Sequence, residues 1–229
     1  MRIIFVRHGH PDYKNDRLTE LGHRQAAAAA ERLSLERPSK IFASTCGRAL
    51  ETAEHIAEKL GMSVEGCDFM REIRWGSANG EEISKGGHPW YVSWYMVANG
   101  QSVMSMDWAN EEPFCKNVVV KCVQKVSTGF DALLATLGYQ REGYYYRVEK
   151  ENNDTVFMVS HGGSSSAALS HLLNIPFPQC CASMRPNFTA ITVISLSGNV
   201  GCLTVPRIEI LNDARHIADI SEKEITFDR

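Results

Sequence analysis

Two short apolar runs, residues 3–6 and 155–159, each break off at a histidine followed by glycine: Arg7-His8-Gly9 after the first, Ser160-His161-Gly162-Gly163 after the second. Runs this short, without polar alternation, read as strands buried on both faces. Such strands need helices on both sides of their sheet, and the rest of the chain supplies them. An Ala-rich segment ending near Leu33 is a strong helix former, and Pro38 breaks it. Residues 40–44 form a second strand candidate. From Gly47 to Leu60, apolar residues recur at Leu50, Ala53, Ile56, Ala57 and Leu60, with Gly61 as the stop. A further helix is expected over 112–137. Strands are expected over 144–148 and 155–159, on either side of the turn-prone residues 151–154. A helix over 164–173 and strands over 191–196 and 207–211 complete the pattern. Strands alternating with helices predict a three-layer α/β/α fold with a mostly parallel central sheet.

The periodicity dissolves over 75–110. All four tryptophans (Trp75, Trp90, Trp94 and Trp108) fall there, with Tyr91 and Tyr95 among them. This segment reads as a partly helical excursion from the core.

Composition narrows the function. With 44% apolar and 22% charged residues, the 229-residue chain is an ordinary globular protein able to bury a large core. A net charge of −3 argues against a nucleic-acid partner. No apolar run approaches the roughly 18 residues of a membrane span. Arg7 and His8 cut off the first apolar run, so no secretion signal is expected. An odd cysteine count of 7 without regular spacing predicts reduced thiols and a cytoplasmic protein. Cys-x-x-Cys and His-Glu-x-x-His are both missing, and the His8-x-His10 pair reads as incidental. A zinc site therefore has little support, and no metal or cofactor is expected.

Ligands of open α/β sheets bind beyond the carboxyl ends of the strands. Three such ends carry polar residues: Arg7-His8-Gly9, Ser44 with Arg48 in the first helical turn beyond it, and Ser160-His161-Gly162-Gly163. Adjacent parallel strands would bring two arginines and two histidines to one spot. A cation in the first turn of a helix opposes the helix dipole, so Arg48 points to an anion in front of it. Glycines after each histidine would let a ligand approach the backbone. Two guanidinium groups, two imidazoles and backbone N–H groups suit a phosphoryl group.

These segments resemble the histidine phosphatase superfamily, also called the phosphoglycerate mutase-like family. Val6-Arg7-His8-Gly9 resembles its signature, and Leu18-Thr19-Glu20-Leu21-Gly22 its first helix. Ser44-Thr45-Cys46-Gly47-Arg48-Ala49-Leu50-Glu51-Thr52 is similar to its Ser-x-x-x-Arg-Ala-x-x-Thr segment. Arg71-Glu72-Ile73-Arg74-Trp75-Gly76 is similar to the segment holding its acid, and Val159-Ser160-His161-Gly162 to its second histidine. The resemblance runs from residue 1 to about residue 196. It implies a single domain over 1–229 with a lid-like insertion over 75–112.

The resemblance also implies a metal-independent phosphatase acting on a small phosphorylated substrate. His8 would become phosphorylated, while Arg7, Arg48, His161 and Gly162 bind the phosphoryl oxygens. Glu72 would serve as acid and then base; its alternative is an ion pair with Arg71 or Arg74. The family's polar residues after Arg-His-Gly are replaced here by His10, Pro11 and Lys14. Asn15, one residue on, is then the expected phosphate contact. A phosphoglycerate mutase-type phosphotransferase is the alternative within the family, but its Trp-Asn segment and paired arginines are missing. A serine hydrolase would need a Gly-x-Ser-x-Gly elbow, which the chain lacks. A non-catalytic phospho-ligand module would keep binding and lose turnover.

Overall fold

The computed structural model describes residues 1–220. In chain order its elements are β1 (Arg2–Arg7), β2 (Pro11–Asp12), β3 (Arg17–Leu18), α1 (Glu20–Leu33), β4 (Lys40–Ser44), α2 (Gly47–Leu60) and β5 (Val64–Cys67). Then follow α3 (Pro89–Ala98), α4 (Val119–Thr136), β6 (Tyr139–Glu142), β7 (Tyr145–Val148), β8 (Thr155–Ser160), α5 (Gly162–Leu173), α6 (Phe177–Ser183), β9 (Ile191–Ser195), β10 (Leu203–Thr204) and β11 (Arg207–Asp213). None of the described helices is long and apolar enough to cross a membrane.

The central sheet has six strands in the order β11-β9-β1-β8-β4-β5. β1, β8, β4 and β5 are parallel, while β9 and β11 add an antiparallel edge. The period-two alternation of β1 sorts its side chains into two cores. Ile3 and Phe5 join Val126, Phe130 and Leu134 of α4 on one face. Ile4 and Val6 join Ala30 and Leu33 of α1 and Ala53 and Ile56 of α2 on the other. Burial on both faces explains why β1 and β8 show no polar alternation. The three-layer α/β/α arrangement with a mostly parallel sheet is as the sequence predicts.

The helix ends follow local chemistry. Thr19 caps α1 by accepting from the Gly22 N–H. Gly61 ends α2 in the left-handed conformation, φ 65°. One expectation needs correction. The helix expected over 112–137 begins only at Val119, where the Asn117 side chain accepts from the Val119 N–H. The two strands on either side of residues 151–154 form as expected and lie in different sheets. β8 is central, whereas β7 pairs with β6 and β10 in a small separate sheet.

Candidate active site

The register of the sheet decides what the strand ends bring together. Arg7 of β1 lies beside Ser160 of β8, and Ala43 of β4 beside Val159. The three polar strand ends therefore share one edge. His8 is 1% exposed and His161 0%, with ring centroids 5.1 Å apart. Arg48 is buried as well.

Each imidazole is oriented by its neighbours. His8 Nδ1 lies 2.7 Å from the Gly9 carbonyl, and the Arg48 Nε–H approaches His8 Nε2 at 3.3 Å. A neutral ring that donates from Nδ1 keeps its Nε2 lone pair directed at the arginine. Burial, and then the positive charge of Arg7, pushes His8 well below the ordinary imidazole range. His161 is held low by burial and then by Arg48. Its Nε2 is 2.7 Å from Ser44 Oγ. A neutral ring accepting from Ser44 carries its proton on Nδ1, which is buried without a partner among the described residues. In that tautomer the Nδ1–H is a donor for an anion.

The arginines are fixed just as firmly. Arg7 donates to the Pro186 carbonyl at 2.8 Å and stacks on Phe188, 4.1 Å from the ring centroid. Arg48 contacts the Asp16 carboxylate, whose other oxygen accepts from the Gly47 N–H at 2.9 Å. Asp16 was not singled out from the sequence. It reaches the N-terminus of α2 through a left-handed backbone, φ 50°, which no periodicity announces. Asn15 is turned away: it is exposed, and its side chain donates to Asp12 at 2.7 Å.

Glu72 lies beside the N-terminus of α5. Its carboxylate accepts from Ile73 N at 3.0 Å, Ser164 N at 3.1 Å and Gly163 N at 3.4 Å. Those donors favour the ionised form, but desolvation outweighs them and pushes the carboxyl above its ordinary range. Arg71 turns instead to Thr45 Oγ1 at 3.1 Å. Two glycines serve the scaffold rather than ligand approach. A Cβ on Gly9 would lie 2.5 Å from the Gly22 carbonyl oxygen, and one on Gly163 would lie 2.5 Å from Glu72 Oε1. Gly162 is different, because a Cβ there would make only ordinary contacts with Arg7 and Trp90.

The aromatic excursion divides in two. Trp75, Trp90 and Tyr91 line a cavity that also borders Arg7 and Glu72. Trp108 packs on Phe114 and Phe177, and Trp94 donates to the Ala182 carbonyl. The arrangement can bind a phosphoryl group between Arg7, Arg48 and His161, present the His8 Nε2 lone pair to phosphorus, and offer a proton from Glu72. Among the described residues, no group of three or more His, Cys, Asp or Glu could hold a metal ion.

Residues 3–106 match the model of the histidine phosphatase superfamily (branch 1). Over 88 residues, 34% of the chain, the sequence is 35% identical to glucosyl-3-phosphoglycerate phosphatase of Mycobacterium tuberculosis. That match spans 40% of the length of this relative. A solved structure of a mycobacterial glucosyl-3-phosphoglycerate phosphatase is similar in fold at 24% identity, with a TM-score of 0.62, covering 92% of this chain and 98% of that one. Phosphoserine phosphatase of Entamoeba histolytica in complex with 3-phosphoglyceric acid gives 21% identity and a TM-score of 0.63, covering 94% and 98%.

Proposed function

We propose that the chain, whose residues 3–106 match the histidine phosphatase superfamily (branch 1), is a member of that superfamily and hydrolyses a small organic phosphomonoester through a phosphohistidine intermediate. The observation that carries the reading is the buried His8 ring, tied at Nδ1 to a carbonyl and facing an arginine with Nε2. A neutral imidazole in that position has one lone pair, and it is aimed where an anion would bind.

In the first step the His8 Nε2–P bond forms as the bond from phosphorus to the leaving oxygen breaks. Glu72 gives its proton to that oxygen. In the second step water attacks phosphorus, Glu72 takes a proton from it, the N–P bond breaks, and phosphate leaves. Arg7, Arg48 and the His161 Nδ1–H hold the equatorial oxygens, where charge accumulates. Gly162 contributes space beside Arg7, and Asp16 orients the clamp by fixing Arg48.

We read residues 1–229 as a single domain, of which 221–229 lie outside the described residues, and 75–112 as an insertion beside the site. The free thiols, with Cys180 and Cys181 buried, are consistent with a reducing cytoplasm. Transfer to a second substrate, as in a mutase, would need a second phosphate clamp near Glu72.

The test is hydrolysis of p-nitrophenyl phosphate by the purified protein in excess EDTA. Activity that survives the chelator supports a clamp made of arginines. Activity lost in chelator and restored by Mg²⁺ or Zn²⁺ assigns the protein to another mechanism. Phosphate binding without turnover of any phosphomonoester would favour the binding module.

A further inference from the structure

Resting on the phosphohydrolase reading, we propose that Phe188 is a positioning residue for the phosphoryl clamp, its ring holding the Arg7 guanidinium and the His8 imidazole in the arrangement that a pentacoordinate phosphorus requires.

The ring lies among the side chains that leave the end of β1. The central carbon of the Arg7 guanidinium stands 4.1 Å from the ring centroid. The His8 ring is 5.7 Å away, tilted by 45°, and the His10 ring meets Phe188 edge to face at 5.4 Å and 73°. A carboxylate or amide in this place would compete with a phosphoryl group for the guanidinium N–H groups. A phenyl ring attracts the cation through its face and leaves the in-plane N–H groups to oxygen acceptors, of which the Pro186 carbonyl is one. Beside His8 the same ring limits rotation of the imidazole while neither giving nor taking a proton.

The backbone around Phe188 is stitched to β1. Arg7 N donates to the Ala190 carbonyl and Thr189 N to the His8 carbonyl, both at 3.3 Å. On the far side Asn212 Nδ2 donates to the Arg185 carbonyl at 3.2 Å, and Asn212 Oδ1 accepts from Asn187 N at 2.8 Å. Between these ties Thr189 has φ 51°, in the left-handed region that a β-branched residue seldom enters. Strain of this kind persists only where the surroundings impose it, and it gathers at functional sites. Thr189 is buried, and its Oγ1 lies 3.1 Å from His216 Nε2, a contact that anchors the strained residue from the side of the chain away from His8. Phe188 itself is only partly buried. Core packing therefore does not account for a strained turn that places this ring against the clamp.

The test is calorimetric binding of orthovanadate and of inorganic phosphate to wild-type protein, Phe188→Leu and Phe188→Tyr, with Tm measured alongside. Vanadate can adopt the five-coordinate geometry with His8 as a ligand, whereas phosphate stays tetrahedral, so a clamp that is out of place loses vanadate first. In Phe188→Leu, vanadate affinity and kcat for p-nitrophenyl phosphate should each fall roughly tenfold, within the range of a desolvated cation–π contact. Phosphate affinity and KM should change about threefold or less. Phe188→Tyr keeps the ring face and should recover most of the loss. A ring that serves stability alone would lower Tm and leave the ratio of the two affinities unchanged. An unchanged ratio in a folded Phe188→Leu, or a Phe188→Tyr as impaired as Phe188→Leu, overturns the proposal. If Phe188→Leu does not fold, Thr189→Val, which keeps the shape and removes the contact with His216, decides on the same ratio: a fall supports the proposal and no change overturns it. A ratio that depends on Phe188 without hydrolysis of any phosphomonoester would keep the positioning role and remove the phosphatase reading. Hydrolysis with a ratio indifferent to Phe188 would do the reverse, and wild-type protein that binds neither anion would remove both.

Discussion

The two walls of the site are built on opposite terms. At the phosphoryl end, His8 and His161 are almost wholly buried, each one residue beyond a strand, and their ring nitrogens face a carbonyl, an arginine and a serine. At the leaving-group end, Trp75 and Tyr91 keep nearly half their surface in solvent, and Trp90 and His88 retain unpaired polar atoms. The first wall is buried and oriented before a ligand arrives, with His161 Nδ1 left over for an anion, while the second keeps its outer rings in solvent. Preorganised charge is what phosphoryl transfer requires, because the transition state gains only from dipoles already in place. A recognition wall can take part of its order from the ligand. Substitutions in the first wall should therefore act on the rate of chemistry, and those in the second on KM.

The largest effect should come from His8→Ala, with turnover falling roughly 10⁴-fold or more while the protein still folds. Normal turnover in this variant would remove the nucleophile and with it the contrast. Next is Glu72→Gln, expected to slow an alkyl phosphate by roughly 10²–10⁴-fold and p-nitrophenyl phosphate far less, since nitrophenolate needs no proton to leave. Equal losses on both substrates would leave Glu72 as a brace for the start of α5.

The pH profile sharpens the same point. Glu72 must be protonated to act as acid, and burial raises its pKa. Turnover of an alkyl phosphate should decline as pH rises through that raised value. His8, held well below the ordinary imidazole range by burial, does not change protonation as pH rises through that value, so the decline is not its titration. The alkaline limb should be missing for p-nitrophenyl phosphate, and a limb common to both substrates would contradict the assignment.

Within the excursion the effects should be smaller and should separate. Trp90→Ala should raise KM for 2-naphthyl phosphate by roughly three- to tenfold, the range of one lost aromatic contact. Trp108→Ala should cost about 3 kcal/mol of stability and leave KM unchanged, because its ring packs on Phe114 and Phe177. A Trp90 variant that only lowers Tm would make the whole excursion structural.

The same contrast governs what could be read from the sequence. β1, β8, α1 and α2 were legible because burial on one or both faces imposes a pattern on consecutive residues. Their ends carry the polar groups of the phosphoryl clamp, so those groups were legible too. β6 and β7 were not both visible, since Tyr139–Glu142 is largely polar and its partner strands form a separate small sheet. Asp16, Phe188 and Arg185 come from irregular segments whose positions depend on long-range contacts, such as Asn212 with the 185–187 loop. Asn15, expected as a phosphate contact, instead bonds Asp12, while the left-handed turn at Asp16 brings a carboxylate that the sequence did not single out to Arg48.

The most direct test of the central claim is chemical trapping of the intermediate. Wild-type protein mixed with a labelled phosphomonoester and quenched within milliseconds should carry phosphate that is labile in acid and stable in base, and peptide mapping should place it on His8. Phosphate on a serine or on His161, or burst-free turnover with no labelled protein at any quench time, would contradict the account.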